Sequence, residues 1–174
     1  FCRSLKLKGF NAFKIELAKY SAAVTAEGLR TRPTSTDSLE GRAQEAGRLA
    51  QEAIAQTIAL IRRKDVLKAV ELFEKAGQVA CMGAGGSMLL ASECAHLLST
   101  VTNTLLSVGD SHLQMSYAAT MRTEDVIVLV SYSGATRSGV EVLELAKARG
   151  IKTILITRYP KSPAAKLASV VLCC

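Results

Sequence analysis

Three hydroxyl side chains cluster in one short segment directly after an apolar stretch. In VSYSGATRSG, residues 130–139, Ser131, Ser133 and Thr136 surround Gly134. Hydroxyl groups donate hydrogen bonds to phosphate oxygens without adding charge, and the free N–H groups at the start of a helix attract anions. This segment therefore predicts a phosphate-binding loop between a strand and a helix.

A second glycine-rich segment, GAGGS at residues 83–87, also follows an apolar stretch. Gly83 and Gly85 would let the backbone approach a ligand closely, and Ser87 adds a hydroxyl. A dinucleotide-binding fingerprint would need a third glycine where Met88 stands, and no GKS or GKT tripeptide of a nucleotide-binding P-loop occurs. A second phosphate-contacting turn and a plain tight turn both remain open for this segment.

Alternating strands and helices are predicted to position these two loops. The short apolar runs expected to form strands are residues 78–82, 104–107, 125–130, 153–157 and 169–173, and the helices between them are expected near residues 88–99, 112–120, 138–149 and 163–168. Such alternation predicts a parallel five-stranded sheet with helices on both faces. In the flavodoxin-like strand order 2-1-3-4-5, the first and third strands are neighbours, and ligands bind where they end. Both loops are then expected on opposite sides of one crevice.

The first third of the chain is predicted to be helical and linker-like. Residues 10–20 carry one apolar helical stripe, and residues 31–38 form a polar segment with Asp37 or Ser38 placed to cap a helix. Residues 39–61 predict a long amphipathic helix. A second helix is expected to open at Asp65 and to end near Gly77.

Charge and composition narrow the class of protein. The 174 residues carry a net charge of +7, and residues 1–32 alone hold seven Lys or Arg against two acidic residues. This basic end suits a nucleic-acid-binding arm, and the alternative, a solvated basic face, is the more common case for such a composition. No apolar run reaches the length of about 18 residues that a membrane span needs. Five cysteines without a CxxC pair, and only two histidines, favour a reduced cytoplasmic protein and argue against a metal site.

The two spaced motifs resemble those of the SIS (sugar isomerase) domain. GAGGS is followed by SYSGAT, then by AKARGIKTILIT at residues 146–157 and SPAAKLAS at residues 162–169. The resemblance implies that the hydroxyls of Ser131, Ser133 and Thr136 bind the phosphate of a phosphosugar. It also implies contributions from Gly134, the Tyr132 backbone, Ser87 and the turn glycines Gly83 and Gly85.

The opening residues, FCRSLKLKGFNAFKIELAKY, resemble the end of the helix-turn-helix domain of RpiR-type bacterial transcriptional regulators. Lys6 stands where that family usually has a helix-ending glycine. The resemblance implies three parts: residues 1–32 as the C-terminal remnant of an all-α DNA-binding domain, residues 33–38 as a linker, and residues 39–174 as the SIS domain. In that family the chain usually continues past the fifth strand into another helix.

Two functions follow from these resemblances. The first is a transcriptional regulator of sugar metabolism whose SIS domain binds a phosphosugar effector, and the alternative is a phosphosugar isomerase. An isomerase needs a positioned acid or base, yet Ala135 and Ser138 occupy positions where SIS proteins often place acids. Glu93 and His96 are expected on an ordinary helix face.

His112 is the imidazole best placed to contact a ligand, with exposure beside a cap formed by Asp110 or Ser111 as the alternative. We therefore expect a non-enzymatic, cofactor-free homo-oligomer, a dimer or tetramer. Its partners would be a phosphosugar and DNA, and not a membrane.

Overall fold

The structure is a computed structural model, and it describes Phe13 and residues 38–174. The chain divides into two compact units, residues 1–51 and residues 52–174. The predicted helix of residues 10–20 lies outside the described residues apart from Phe13, and so do the linker and the basic arm.

Two helices precede the sheet. Helix α1 spans Leu39–Leu60 and α2 spans Arg63–Lys75. The Ser38 hydroxyl accepts a hydrogen bond of 3.1 Å from the Gly41 N–H, which confirms the predicted cap. Helix α1 buries none of its residues within the part of the chain that the structure describes. Among the same residues, no helix has both the length and the apolar character required to cross a bilayer.

The remaining elements alternate as predicted, except that a short 3₁₀ turn replaces the helix expected near residues 163–168. In chain order they are β1 Val79–Gly83, α3 Gly86–Leu98, β2 Leu105–Val108, α4 Ser111–Thr120, β3 Val126–Val130, α5 Arg137–Ala148, β4 Lys152–Thr157, a 3₁₀ turn at Ala164–Lys166, and β5 Val170–Cys173. All sheet pairs are parallel, in the order β2-β1-β3-β4-β5. The predicted flavodoxin-like order is confirmed.

Each face of the sheet packs against its own helices. Alternate residues of β1 point to opposite faces: Met82 joins a layer with Leu129 and the α5 residue Leu143, whereas Cys81 joins a layer with Val128 and residues of α2 and α3. Strands β1 and β3 are buried along their whole length, because helices cover both faces. The sheet is therefore a fixed platform for the loops at its carboxyl edge.

Candidate functional site

The two predicted loops leave neighbouring strands at the same edge of the sheet. Gly83 at the end of β1 is in register with Val130 at the end of β3. Both strands are parallel, so the turn into α3 and the loop into α5 start side by side. The N-termini of α3 and α5 flank the same crevice.

Gly83 permits a very close approach between β1 and α3. A Cβ on this residue would lie 2.7 Å from the Ser87 carbonyl oxygen and 3.0 Å from the Met88 nitrogen. Only a residue without a side chain fits there. Ser87, half-buried in the first turn of α3, is thereby held against the end of the strand.

The hydroxyl-rich loop is a tight turn held by its neighbours. The Gly134 N–H donates to the Ser131 carbonyl at 3.1 Å, and the Gly134 carbonyl accepts from the Ala164 N–H at 2.9 Å. Gly134 has a left-handed φ of +59°, and a Cβ there would lie 2.1 Å from Ser162 Oγ. The carbonyl of Tyr132 accepts from the Arg158 N–H and from Thr157 Oγ1. Strand β4 and the 3₁₀ turn thus fix the shape of the loop.

A cavity of about 230 Å³, including its open mouth, lies between the two loops. Of the predicted residues, Gly83, Ser87, Ser131 and Thr136 line it. Thr136 is the N-cap residue of α5, but its side chain makes no capping hydrogen bond. None of the described residues that line the cavity carries a formal charge. The cavity is therefore neutral, with hydroxyl donors and the N-terminus of α5 facing it.

The other predicted residues lie beside the cavity and do not line it. Ser133 is exposed, and its Oγ accepts a hydrogen bond of 3.2 Å from the Ala135 N–H. The Tyr132 ring is exposed and packs edge-on against Tyr159, with 5.8 Å between ring centroids. Gly85 is exposed with a left-handed φ of +55°. Contacts of these residues with a ligand stay predictions.

His112 is exposed at the start of α4. The Asp110 carboxylate caps that helix by accepting from the N–H groups of His112 at 2.9 Å and Leu113 at 3.0 Å. The capping alternative for this loop is therefore present in the structure. A ligand contact for His112 stays a prediction.

Sequence reasoning missed two polar residues of the cavity wall, Gln114 and Ser138. Gln114 is only 1% exposed, and it points from α4 to the ends of β1 and β2. Its signal in the sequence is a polar residue at a helix position that is otherwise expected to be apolar. Ser138 lies in the first turn of α5, just beyond the predicted loop.

A pair of thiols lies behind the glycine-rich turn. Cys81 of β1 and Cys94 of α3 belong to the same core layer. Hydrogen bonding with Cys81 lowers the pKa of Cys94 to about 7, against the opposing effect of burial. The same interaction, together with burial, raises the pKa of Cys81. Cys94 is therefore the thiol of the pair that loses its proton more readily.

No group of three or more His, Cys, Asp or Glu side chains within residues 38–174 could hold a metal ion. Glu93 and His96 are both exposed on α3, on the helix face where the sequence placed them.

A larger groove of about 570 Å³ lies elsewhere in the second unit, beside β5. Its walls include Leu60, Ile61, Val66, Val171 and Leu172. Apolar side chains dominate this surface, and its one arginine, Arg62, is already paired with Asp65 at 2.6 Å. The smaller cavity between the loops is the better candidate for an anionic ligand.

The fold and the cavity define an α/β domain with a crevice at the point where the strand order reverses, which is where proteins of this topology bind their ligands. Residues 72–174 match the SIS domain family. The chain belongs to that family.

Three comparisons relate the chain to known proteins. It is 34% identical over 170 residues to an uncharacterized HTH-type transcriptional regulator of Caldanaerobacter subterraneus subsp. tengcongensis, covering 98% of this chain and 60% of that protein. The structure of the Vibrio vulnificus NanR protein complexed with ManNAc-6P is similar, with a TM-score of 0.78 and 24% identity, over 99% of this chain and 60% of that one.

The sugar isomerase domain of an RpiR transcription factor from Sphaerobacter thermophilus gives a TM-score of 0.71 at 25% identity, over 75% of this chain and 74% of that one. The chain thus spans about 60% of the length of the regulator it matches in sequence.

Proposed function

We propose that this protein is a transcriptional regulator whose SIS domain binds a phosphosugar and thereby modulates DNA binding. The observation that carries the proposal is the neutral, hydroxyl-lined cavity between the ends of β1 and β3. Residues 1–32 would be the remnant of the DNA-binding domain, residues 33–38 the linker and residues 39–174 the SIS domain. The regulator would act in the cytoplasm as a homo-oligomer.

The chemistry of the cavity suits a phosphate ester. A phosphate dianion presents only acceptor oxygens, and the hydroxyls of Ser131, Thr136 and Ser87 can each donate to one of them. The N–H groups at the start of α5 would add donors, and α5 and α3 would each contribute the positive end of a helix dipole. Ser133, Gly134 and the Tyr132 backbone would complete the loop around the phosphate. Support comes from the NanR structure, which contains ManNAc-6P in a similar fold.

A sensing role is favoured over catalysis. Sugar isomerisation needs an acid or base next to the reacting carbons. The described residues that line the cavity include no carboxylate, imidazole or amine. The regulator of Caldanaerobacter, which is 34% identical, adds further support. A turnover of hexose phosphates that Glu93→Gln abolishes would instead assign the protein to the isomerases.

A binding experiment tests the phosphate assignment. We expect hexose 6-phosphates and N-acetylhexosamine 6-phosphates to raise the melting temperature, because a ligand that binds only the folded state stabilises it. Thr136→Val should reduce this shift strongly without lowering the melting temperature of the free protein, since the Thr136 hydroxyl makes no capping bond.

The matched control is Thr123→Val, which removes an exposed hydroxyl close to the start of β3, outside the cavity. It should leave the ligand-induced shift unchanged. Equal shifts for both variants would rule out the phosphate loop.

A further inference from the structure

Gln114 is a fully buried amide in the wall of the cavity. Its Nε2 donates to the Gly83 carbonyl at 2.7 Å and to the Val108 carbonyl at 2.7 Å. These carbonyls belong to the last residues of β1 and β2. The Gln114 side chain therefore links the ends of the two strands at the carboxyl edge of the sheet. Only 1% of the residue is exposed.

The two carbonyl partners fix the orientation of the amide. A carbonyl oxygen can only accept a hydrogen bond, so the atom facing both carbonyls has to be the nitrogen, which carries two hydrogens. Rotating the amide by half a turn would set three oxygens against one another. The Oε1 atom is therefore the end left for a ligand: every hydrogen bond that the described residues form with this amide, including one of 3.6 Å to Met88 Sδ, is made by Nε2.

An atom that can only accept a hydrogen bond differs from the hydroxyl groups around the cavity, which can also donate one. Ser87, Ser131 and Thr136 can donate, and the phosphate dianion only accepts. Oε1 therefore repels phosphate oxygens and needs a donor. A buried amide oxygen left without a donor would weaken binding of any ligand that displaces its water.

We propose that Gln114 Oε1 accepts a hydrogen bond from a hydroxyl of the sugar, which makes Gln114 a residue that determines specificity. The inference rests on the proposed phosphosugar function. The cavity would then recognise two features of one ligand. Its hydroxyl donors would bind the phosphate, and the amide oxygen of Gln114 would bind a neighbouring sugar hydroxyl. Inorganic phosphate would satisfy only the first.

Deoxygenated ligands test this directly in the wild-type protein. The probe is the hexose 6-phosphate or N-acetylhexosamine 6-phosphate that gives the largest melting shift, compared by calorimetry with its monodeoxy and deoxyfluoro analogues. Fluorine accepts weakly but cannot donate. At one ring position we expect both replacements to weaken binding about tenfold, because Oε1 loses its donor either way. If the fluorine analogue binds like the parent at every position, the inference is wrong.

Gln114→Met provides the second arm. Methionine keeps a similar volume but has no acceptor amide, so the same two replacements should change its affinity less than about twofold. If the two replacements reduce the affinity of Gln114→Met as much as that of the wild type, another group binds the hydroxyl and the inference is wrong. If the variant does not fold, the fluorine comparison in the wild type decides alone.

A protonated phosphate is the competing donor. In that case wild-type affinity would rise as the pH falls through about 6, the second pKa of a phosphate ester, and deoxygenation would have no effect. That result overturns the inference and leaves the phosphate cavity intact. A different result would refute the proposed function itself. This would be the case if neither sugar phosphates nor inorganic phosphate bound the wild type, or if Thr136→Val did not weaken their binding. Gln114 would then have no role in specificity.

Discussion

Gly134 sets the shape of the proposed phosphate-binding loop through its backbone conformation. Its φ of +59° is strained for any other residue, and the Ser162 side chain occupies the space of a Cβ. We expect Gly134→Ala to lower the free energy of unfolding by at least ~2 kcal/mol, because strain and overpacking add. Urea denaturation measures this change.

A glycine with free space around it provides the control for that variant. Gly47 lies inside α1, and a Cβ added there would meet nothing within 4 Å. Gly47→Ala should stabilise the protein by about 0.5–1 kcal/mol, since alanine favours helix. A neutral effect of Gly134→Ala would show that the loop is softer than its contacts indicate.

The thiol pair predicts a dependence of stability on pH. The pKa of Cys94 is lowered to about 7 in the folded state, against an ordinary value of 9.0. Between these values the unfolded chain binds more protons, so the free energy of unfolding rises with pH. The gain is lost as the pH falls through 7, and above about 9.0 the raised pKa of Cys81 acts in the opposite direction. Urea midpoints at about pH 7 and pH 9 should diverge more for the wild type than for Cys94→Ala. The same change in both proteins would contradict the lowered pKa of Cys94.

Some residues of the cavity could be predicted from the sequence, and others could not. Ser131, Thr136, Gly83 and Ser87 were predictable, because their loops carry recognisable spacing and the strand order brings the loops together. Gln114 was not. Its role depends on the ends of two strands meeting beneath one helix, and no local pattern encodes that meeting.

At the scale of elements, the cap of α4 makes a separate prediction. The Asp110 carboxylate satisfies two N–H groups at the start of that helix. Asp110→Ala should lower the free energy of unfolding by about 1 kcal/mol, whereas Asp110→Asn should have little effect, because asparagine caps as well. Urea denaturation of the two variants separates them. Equal losses would mean that the charge matters and the cap does not.

The strands were the elements that the sequence predicted best. Their apolar runs have no polar alternation, which is typical of strands covered on both faces. The expected helix over residues 163–168 is instead a 3₁₀ turn at Ala164–Lys166. Hydrogen bonds from this turn to the Gly134 carbonyl and to Ser162 compete with a longer helix. The sequence could not show that this segment serves to hold the neighbouring loop.

At the scale of the whole molecule, the charge distribution fits separate roles for the basic N-terminal residues and for the rest of the chain. The net charge of the chain is +7, and the seven basic against two acidic residues of positions 1–32 supply most of it. These positions lie outside the described residues apart from Phe13, so their contact with DNA is a proposal. We expect the chain to bind DNA weakly and without sequence preference, with an affinity that falls as salt increases.

Charge variants measure that contribution. Lys6→Gln combined with Lys8→Gln should reduce the slope of log affinity against log salt by about 2, one for each lost phosphate contact. Lys152→Gln, an exposed lysine of β4, is the control and should leave the slope unchanged. Equal slopes for both variants would place the DNA contact elsewhere.

The most direct test of the proposed phosphate site is a crystal structure of the protein with the hexose 6-phosphate or N-acetylhexosamine 6-phosphate that stabilises it most. We predict the phosphate between the ends of β1 and β3, within hydrogen-bond distance of the Ser131 and Thr136 hydroxyls and of an N–H at the start of α5. A phosphate bound away from this edge of the sheet, or a cavity closed by side chains while the ligand binds elsewhere, would contradict it.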